Sequence, residues 1–281
     1  GCTNPSINTS KAPLNVLFIA IDDLNDWVEV LHANPDVKTP NINRLAEMGM
    51  LFTNAHTQAP ICAPSRASLL TGKYPHETGI YFQIKDPFVR DASPVTQEAI
   101  YLQQYFEMNG YKTMGAGKLW HGNDEAGTFQ EYGERRDWFG PRPSERIAYD
   151  PVKGPNYDGV NSTNTDWGAF PERDEDMSDY YYADWAISQL KKEHSSPFFL
   201  GVGFVRPHVP WYVPQKWLDM YDPDSVSLPM YESRDLDDVP QYAKLLTHTP
   251  PMPTTEYLME RGEWRNAVRA YLASVTWTDH Q

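Results

Sequence analysis

Two apolar runs constrain the fold of this chain more than any other feature: residues 14–21, LNVLFIAI, and residues 197–204, PFFLGVGF. A strand with one wet face alternates apolar and polar residues. Strands without that alternation are buried on both faces, as in a parallel sheet with helices above and below. Neither run approaches the roughly 18 residues that would suggest a membrane-spanning helix. Between the runs, helical spacing predicts segments at Asn41–Met48 behind Pro40, at Pro64–Leu70 closed by Gly72, at Gln97–Asn109 closed by Gly110, and at Asp179–Glu193. Further strands are expected at Leu51–His56 and Tyr111–Ala116, and a last helix at Thr255–Thr278. Strand and helix alternate, so the expected class is α/β: layers of helices about a largely parallel sheet.

The 281 residues suffice for one large or two small domains with a sizeable core. The net charge of −14 argues against a general nucleic-acid binder, which needs a basic face. It leaves room for an anionic small substrate in a locally basic pocket. Two cysteines make no disulfide framework. The chain opens Gly1-Cys2-Thr3-Asn4 and stays polar to Lys11. Two readings stand side by side: a processed bacterial lipoprotein with lipid on Cys2, or an arbitrary start with a lone cysteine. Residues 1–13 read as a tether and 14–281 as the folded part. The long polar stretches at 121–178 and 222–255 are expected to be functional loops or to contain small elements.

Four groups of residues carry chemistry. Asp22-Asp23 directly follows the first buried strand, and the carboxyl ends of parallel strands are where ligands gather. Two adjacent carboxylates suit a hard cation; a solvated turn is the alternative. Cys62-Ala63-Pro64-Ser65-Arg66 runs on through Leu69-Leu70-Thr71-Gly72. Gly117-Lys118-Leu119-Trp120-His121 follows the strand at 111–116. Arg206-Pro207-His208-Val209-Pro210-Trp211 follows the second buried run. Taken singly, each has a structural reading as well: a buried cysteine, a surface lysine, loop histidines.

Together these motifs resemble the sulfatase family, whose signature C-x-P-S-R followed by Leu-Thr-Gly is matched in full at residues 62–72. The basic-Pro-His-apolar-Pro run at 206–210 is similar to the iduronate-2-sulfatase branch. The resemblance implies an alkaline-phosphatase-like layered α/β fold, present here as an N-terminal portion. It implies that Cys62 is oxidised to formylglycine, whose aldehyde hydrate is the nucleophile. One hydroxyl of such a hydrate forms a sulfate ester and the other allows collapse to the aldehyde, which a serine would lack. Arg66 would orient the hydrate, Lys118 would hold sulfate, His121 would assist the hydrate, and His208 would protonate the leaving alcohol or bind sulfate. Asp22, Asp23 and the modified Cys62 would hold one Ca²⁺. Arg206 and Trp211, and Asp26 and Trp27, are candidates to touch a sugar. His32, His56, His76, His194, His248 and His280 have no motif support and are expected to be structural.

In the family, the helix similar to 271–279 is followed by a strand that supplies further metal ligands, and Asp279-His280 does not occupy that place. Three ligands fall short of the 6–8 oxygens Ca²⁺ takes, so these residues alone should bind it weakly. The expected reaction is hydrolysis of an O-sulfate ester on a glycan, in the periplasm or at a cell surface, or in a lysosome-like compartment in a eukaryote. The expected partners are a sulfated carbohydrate and a formylglycine-generating or anaerobic maturation enzyme; no nucleic acid is expected, and no membrane except through Cys2. A phosphonate or phosphodiester hydrolase of the same superfamily and a non-catalytic sulfated-glycan binder are the alternatives.

Overall fold

Strands β1 (Val16–Ile21), β2 (Lys112–Gly117), β3 (Glu131–Tyr132), β4 (Trp167–Ala169), β5 (Phe198–Phe204) and β6 (Trp211–Val213) appear in a computed structural model. It describes residues 13–122, 127–136, 140–150, 163–247 and 252–281. The main sheet has the order β1-β5-β2-β3, with all neighbours parallel. β4 and β6 form a second, two-stranded parallel pair. The helices are α1 (Pro40–Met48), α2 (Cys62–Thr71), α3 (Pro75–Thr78), α4 (Pro94–Glu98), α5 (Leu102–Met108), α6 (Ser178–Leu190), α7 (Gln215–Leu218), α8 (Gln241–Thr247), α9 (Thr255–Glu260) and α10 (Trp264–His280).

β5 is buried at every residue, as its unbroken apolar run requires. Phe198, Leu200, Val202 and Phe204 point to one face, where they meet Met114, Ala116 and the Tyr182, Ala183 and Ala186 stripe of α6. Phe199 points to the other face and packs with Ala67 and Leu70 of α2, with Leu119 and with Trp120. Helices thus cover both faces, which is what a sheet of continuous hydrophobic strands needs. A third cluster gathers α10, α7 and the β4–β6 pair around Trp217, Leu272, Val275 and Trp277.

Glycines set the closeness of β2 and β5. Gly117 has φ +74°, and a Cβ there would sit 2.1 Å from the Gly203 carbonyl oxygen. The chain leaving β2 therefore crosses β5 at backbone contact, with Lys118 N–H donating to Gly203 O at 2.7 Å. This brings the first residue after β2 over the carboxyl end of the sheet.

Three expectations are corrected. Residues 51–56 form no strand; they are exposed loop, because an apolar composition without a pairing partner does not make one. The helix expected over 97–109 is two: Ala99 is extended, and α5 starts at Leu102 behind its N-cap Tyr101, whose N–H donates to Gln104 Oε1. The last helix is likewise broken, where Gly262 at φ +70° ends α9. The polar stretches 121–178 and 222–255 contain β3, β4 and α8. The tether through residue 12, with Cys2, lies outside the described residues, as does His248.

Candidate active site

β1 ends at Ile21, and the ladder continues one residue further through Asp22 N–H to Phe204 O at 3.1 Å. That last rung fixes Asp22 at the carboxyl end of the sheet, 5% exposed. Its Oδ1 accepts from Arg66 Nη2 at 2.8 Å, and its Oδ2 pairs with Lys118 Nζ. Arg66 and Lys118 are themselves 6% and 3% exposed, so three charges share one dry site. Burial alone would raise the Asp22 pKa, but the charges of Arg66, Lys118 and His208 outweigh it and hold it at about 2.

Arg66 is held from two sides. Its Nη1 donates to the carbonyls of Lys118 and Leu119, tying α2 to the turn after β2. Its Nε is buried with no partner among the described residues. A guanidinium N–H left without an acceptor in a dry site is costly, and a ligand oxygen would relieve it.

Cys62 opens α2, two residues before the expected start, with Ile61 as N-cap and Ser65 N–H closing the first turn on Ile61 O at 3.1 Å. Its Sγ accepts from Gln83 Nε2 at 3.3 Å. Burial raises the thiol pKa, yet the hydrogen bond with His208, the Lys118 charge and the Gln83 contact bring it below its ordinary value. Asp22, Asp23, Cys62 and Arg66 line one cavity of about 270 Å³.

Asp23 takes φ 56°, a left-handed conformation, and its side chain is about half-exposed where that of Asp22 is buried. Asp23 Oδ2 lies 3.6 Å from His208 Nε2. Burial and the neighbouring Asp22 charge raise the Asp23 pKa against the opposing pull of His208. His208 Nδ1 lies 2.6 Å from Val209 O. A carbonyl only accepts, so Nδ1 carries the proton and Nε2 is the nitrogen turned to Asp23 and Cys62. His121 stands nearby: Asp86 accepts the backbone N–H of His121 at 3.0 Å and that of Gly122. Burial and the Lys118 charge lower the His121 pKa, with Asp86 pulling the other way.

The structure therefore brings Asp22, Asp23, Cys62, Arg66, Lys118, His121 and His208 together. It does not place Arg206 with them. Arg206, expected at the substrate, is 1% exposed and donates through Nε to Tyr212 O and through Nη1 to His208 O. It is a strut of the loop that carries His208. Three contributors had no sequence motif. Gln83 reaches Cys62, Asp86 holds the His121 turn, and Asp179 of α6 accepts the N–H groups of Val205 and Arg206 at 2.8 and 2.9 Å. Burial raises the Asp179 pKa.

The fit to a hard cation is incomplete. Both Asp22 oxygens are engaged by Arg66 and Lys118, and no group of three or more His, Cys, Asp or Glu able to hold a metal occurs among the described residues. Asp22, Asp23 and Cys62 do not make a six-oxygen shell. The fit to an aldehyde hydrate at position 62 is better, since its hydroxyls would meet the Gln83 amide and His208.

The sulfatase family model matches residues 14–281. This chain belongs to the sulfatase family. It is 44% identical to a protein named sulfatase from Formosa agariphila over 270 residues, covering 95% of this chain and 53% of that protein. It is 31% identical to the ulvan-active sulfatase of the same organism, over 84% of this chain and 44% of that one. Identity to iduronate 2-sulfatase of Homo sapiens is 30%, over 98% and 51%. This sulfatase chain spans about half the length of the curated relatives it matches. Among solved structures, the phosphonate monoester hydrolase of Agrobacterium radiobacter superposes with a TM-score of 0.63 at 19% identity, covering 95% of this chain and 57% of that one. A structure in complex with its substrate D-glucosamine-2-N,6-O-disulfate gives 0.58 at 20%, covering 95% and 60%. At such identities the likeness shows the fold: the alkaline-phosphatase-like α/β architecture that sulfatases and phosphonate hydrolases share.

Proposed function

We propose that the protein of which this chain is part hydrolyses O-sulfate esters of a sulfated carbohydrate. The observation that carries the reading is the cavity where Cys62 and Arg66 meet Asp22, with Lys118 and His208 in direct contact with the group. Lys118 and Arg66 are fixed positive charges in a dry site, suited to neutralising the oxygens of a sulfuryl group as it is attacked. An aldehyde hydrate derived from Cys62 by a maturation enzyme would supply the nucleophile and, in its second hydroxyl, a means of releasing sulfate. His208 has Nε2 turned to the cavity and, when protonated at Nε2 as well as at Nδ1, would donate the Nε2 proton to the leaving sugar oxygen. His121, its pKa lowered, accepts a proton in the release step. The relatives named for ulvan and iduronate support a glycan as substrate.

The test is made on the full-length protein expressed beside a competent maturation enzyme. Mass spectrometry of the peptide around Cys62 and turnover of matched sulfate and phosphate esters are measured together. Conversion of Cys62 with preference for the sulfate ester is expected. Preference for the phosphorus ester would assign the chain to phosphonate or phosphodiester hydrolysis. An unmodified thiol with no turnover would leave a glycan-binding protein.

A further inference from the structure

A second cavity, of about 480 Å³, opens beside the first and shares Asp23 with it. It is walled by aromatic rings: Trp27, Trp167, Trp211, Trp264 and Tyr271. Tyr271 stands edge-on to Trp27 and to Trp211, at 5.6 Å from each, with interplanar angles of 80° and 77°. Several polar atoms on these rings are already committed. Tyr271 OH donates to Asp23 O and accepts from Asn25 N–H, both at 3.0 Å; Trp211 Nε1 donates to Pro207 O at 2.8 Å; Trp167 Nε1 donates to Glu263 Oε2 at 3.2 Å. Tyr271, Trp211 and Trp167 are thereby locked, Trp27 rests edge-on against Tyr271, and Trp27, Trp211 and Trp264 remain partly exposed. Rigid aromatic faces lose little entropy on binding.

The geometry points to this cavity as the seat of an uncharged sugar ring on the leaving-group side of the ester, and so as a determinant of which sulfated glycan is accepted. The inference rests on the proposed sulfate-ester hydrolysis. Three observations select the occupant. The volume falls within the range of small-molecule sites. Aromatic walls beside the exposed Asp23 and Asn25 match a ring that has apolar C–H faces and hydroxyls at its edge. Among the described residues no Lys or Arg lines the cavity, while the Asp23 carboxylate does. A uronate or a second sulfate there would face the Asp23 carboxylate with no Lys or Arg among the described lining residues, the nearest cation being His208 at 3.6 Å from Asp23, which disfavours an acidic ring. The shared Asp23 lies 3.6 Å from His208 Nε2, so a ring seated here has its ester oxygen beside the proton donor.

The test is binding, so that it does not depend on turnover. Galactobiose, neutral, and a glucuronate-containing disaccharide are titrated against the full-length protein by saturation-transfer NMR, with Trp27→Ala and Trp27→Arg variants. Trp27 is partly exposed, and thermal midpoints matching the wild type establish that both variants are folded. Galactobiose is expected to bind more tightly than the acidic disaccharide. Trp27→Ala should weaken it about tenfold, the loss of one stacking face. Trp27→Arg should shift preference toward the acidic disaccharide. Tighter binding of the acidic disaccharide to wild type, or galactobiose binding unchanged in folded Trp27→Ala, overturns the assignment. Galactobiose binding that depends on Trp27 without any sulfate release would uphold the cavity and reject the hydrolase reading.

Discussion

Arg66 Nη2 and Asp22 Oδ1 are 2.8 Å apart with both side chains about 93% shielded from solvent, and Lys118 closes the pair from the other carboxylate oxygen. One anion thus holds two cations in place at the carboxyl end of the sheet. Removing one member of a buried set leaves uncompensated charge and costs about 3–5 kcal/mol. Asp22→Asn should lower stability by that order in urea unfolding and abolish sulfate-ester turnover. Since Asp22 is held at about 2, well below its ordinary 3.8, its stabilisation is present above pH 4 and lost as pH falls through about 2. The wild type should show this acid loss and the variant should not. Equal acid profiles would remove Asp22 as the organising charge.

His121 is expected to set the acid limb of the pH–rate profile. Its pKa is lowered from 6.5 by burial and by the Lys118 charge, so it is neutral and ready to accept a proton at pH 7. The same shift makes the folded state lose stability as pH falls below 6.5, because the unfolded chain takes up the proton first. Asp86 opposes the shift and also receives the His121 and Gly122 N–H groups. Asp86→Asn should therefore lower the His121 pKa further, moving the acid limb to lower pH, and reduce kcat about tenfold by loosening the turn. NMR titration of His121 reads the shift directly. A loss of rate with no movement of the limb would reduce Asp86 to a scaffold.

Arg206 gives a contrast. Its guanidinium serves the carbonyls of Tyr212 and His208 and is shut off from solvent. Arg206→Lys keeps the charge but not the fork of donors. It should destabilise the fold by about 2 kcal/mol and lower kcat on every sulfate ester alike, through a displaced His208. A selective rise in KM for sugar substrates, with stability unchanged, would instead restore Arg206 to the substrate.

How much of this was legible in sequence follows from where the information lies. β1, β2 and β5 announce themselves because burial on both faces leaves unbroken apolar runs, and Cys62, Lys118 and His208 because each follows a strand or opens a helix in a local motif. Gln83, Asp86 and Asp179 were silent. Asp86 takes backbone N–H groups from 35 and 36 residues away, and Asp179 from 26 and 27. A carboxylate that acts on distant main chain imposes no pattern on its own neighbours. The motif at Arg206 shows that a charge stands next to His208 and not which way it turns. Apolar spacing continues on both sides of Gly262 and hides the break there.

The approach of β5 to the Lys118 turn supplies the sharpest structural test. A Cβ at Gly203 would lie 2.2 Å from both the carbonyl carbon and oxygen of Lys118 and 2.7 Å from Leu119 N, all backbone. At Gly201, two residues earlier on the same strand, the obstacle is Leu119 Cδ1 at 2.7 Å, the tip of a side chain that can rotate. Both changes add one methyl to the same packed layer. Gly203→Ala, however, must push Lys118 off its bond to Gly203 O and disturb the carbonyl that Arg66 holds. Its cost should reach or exceed the 1–3 kcal/mol typical of overpacking, with turnover down at least about tenfold. Gly201→Ala should cost less and largely spare activity. Urea midpoints and sulfate-ester rates of the two variants, measured side by side, decide it. Equal penalties would mean that the backbone crossing does not position Lys118.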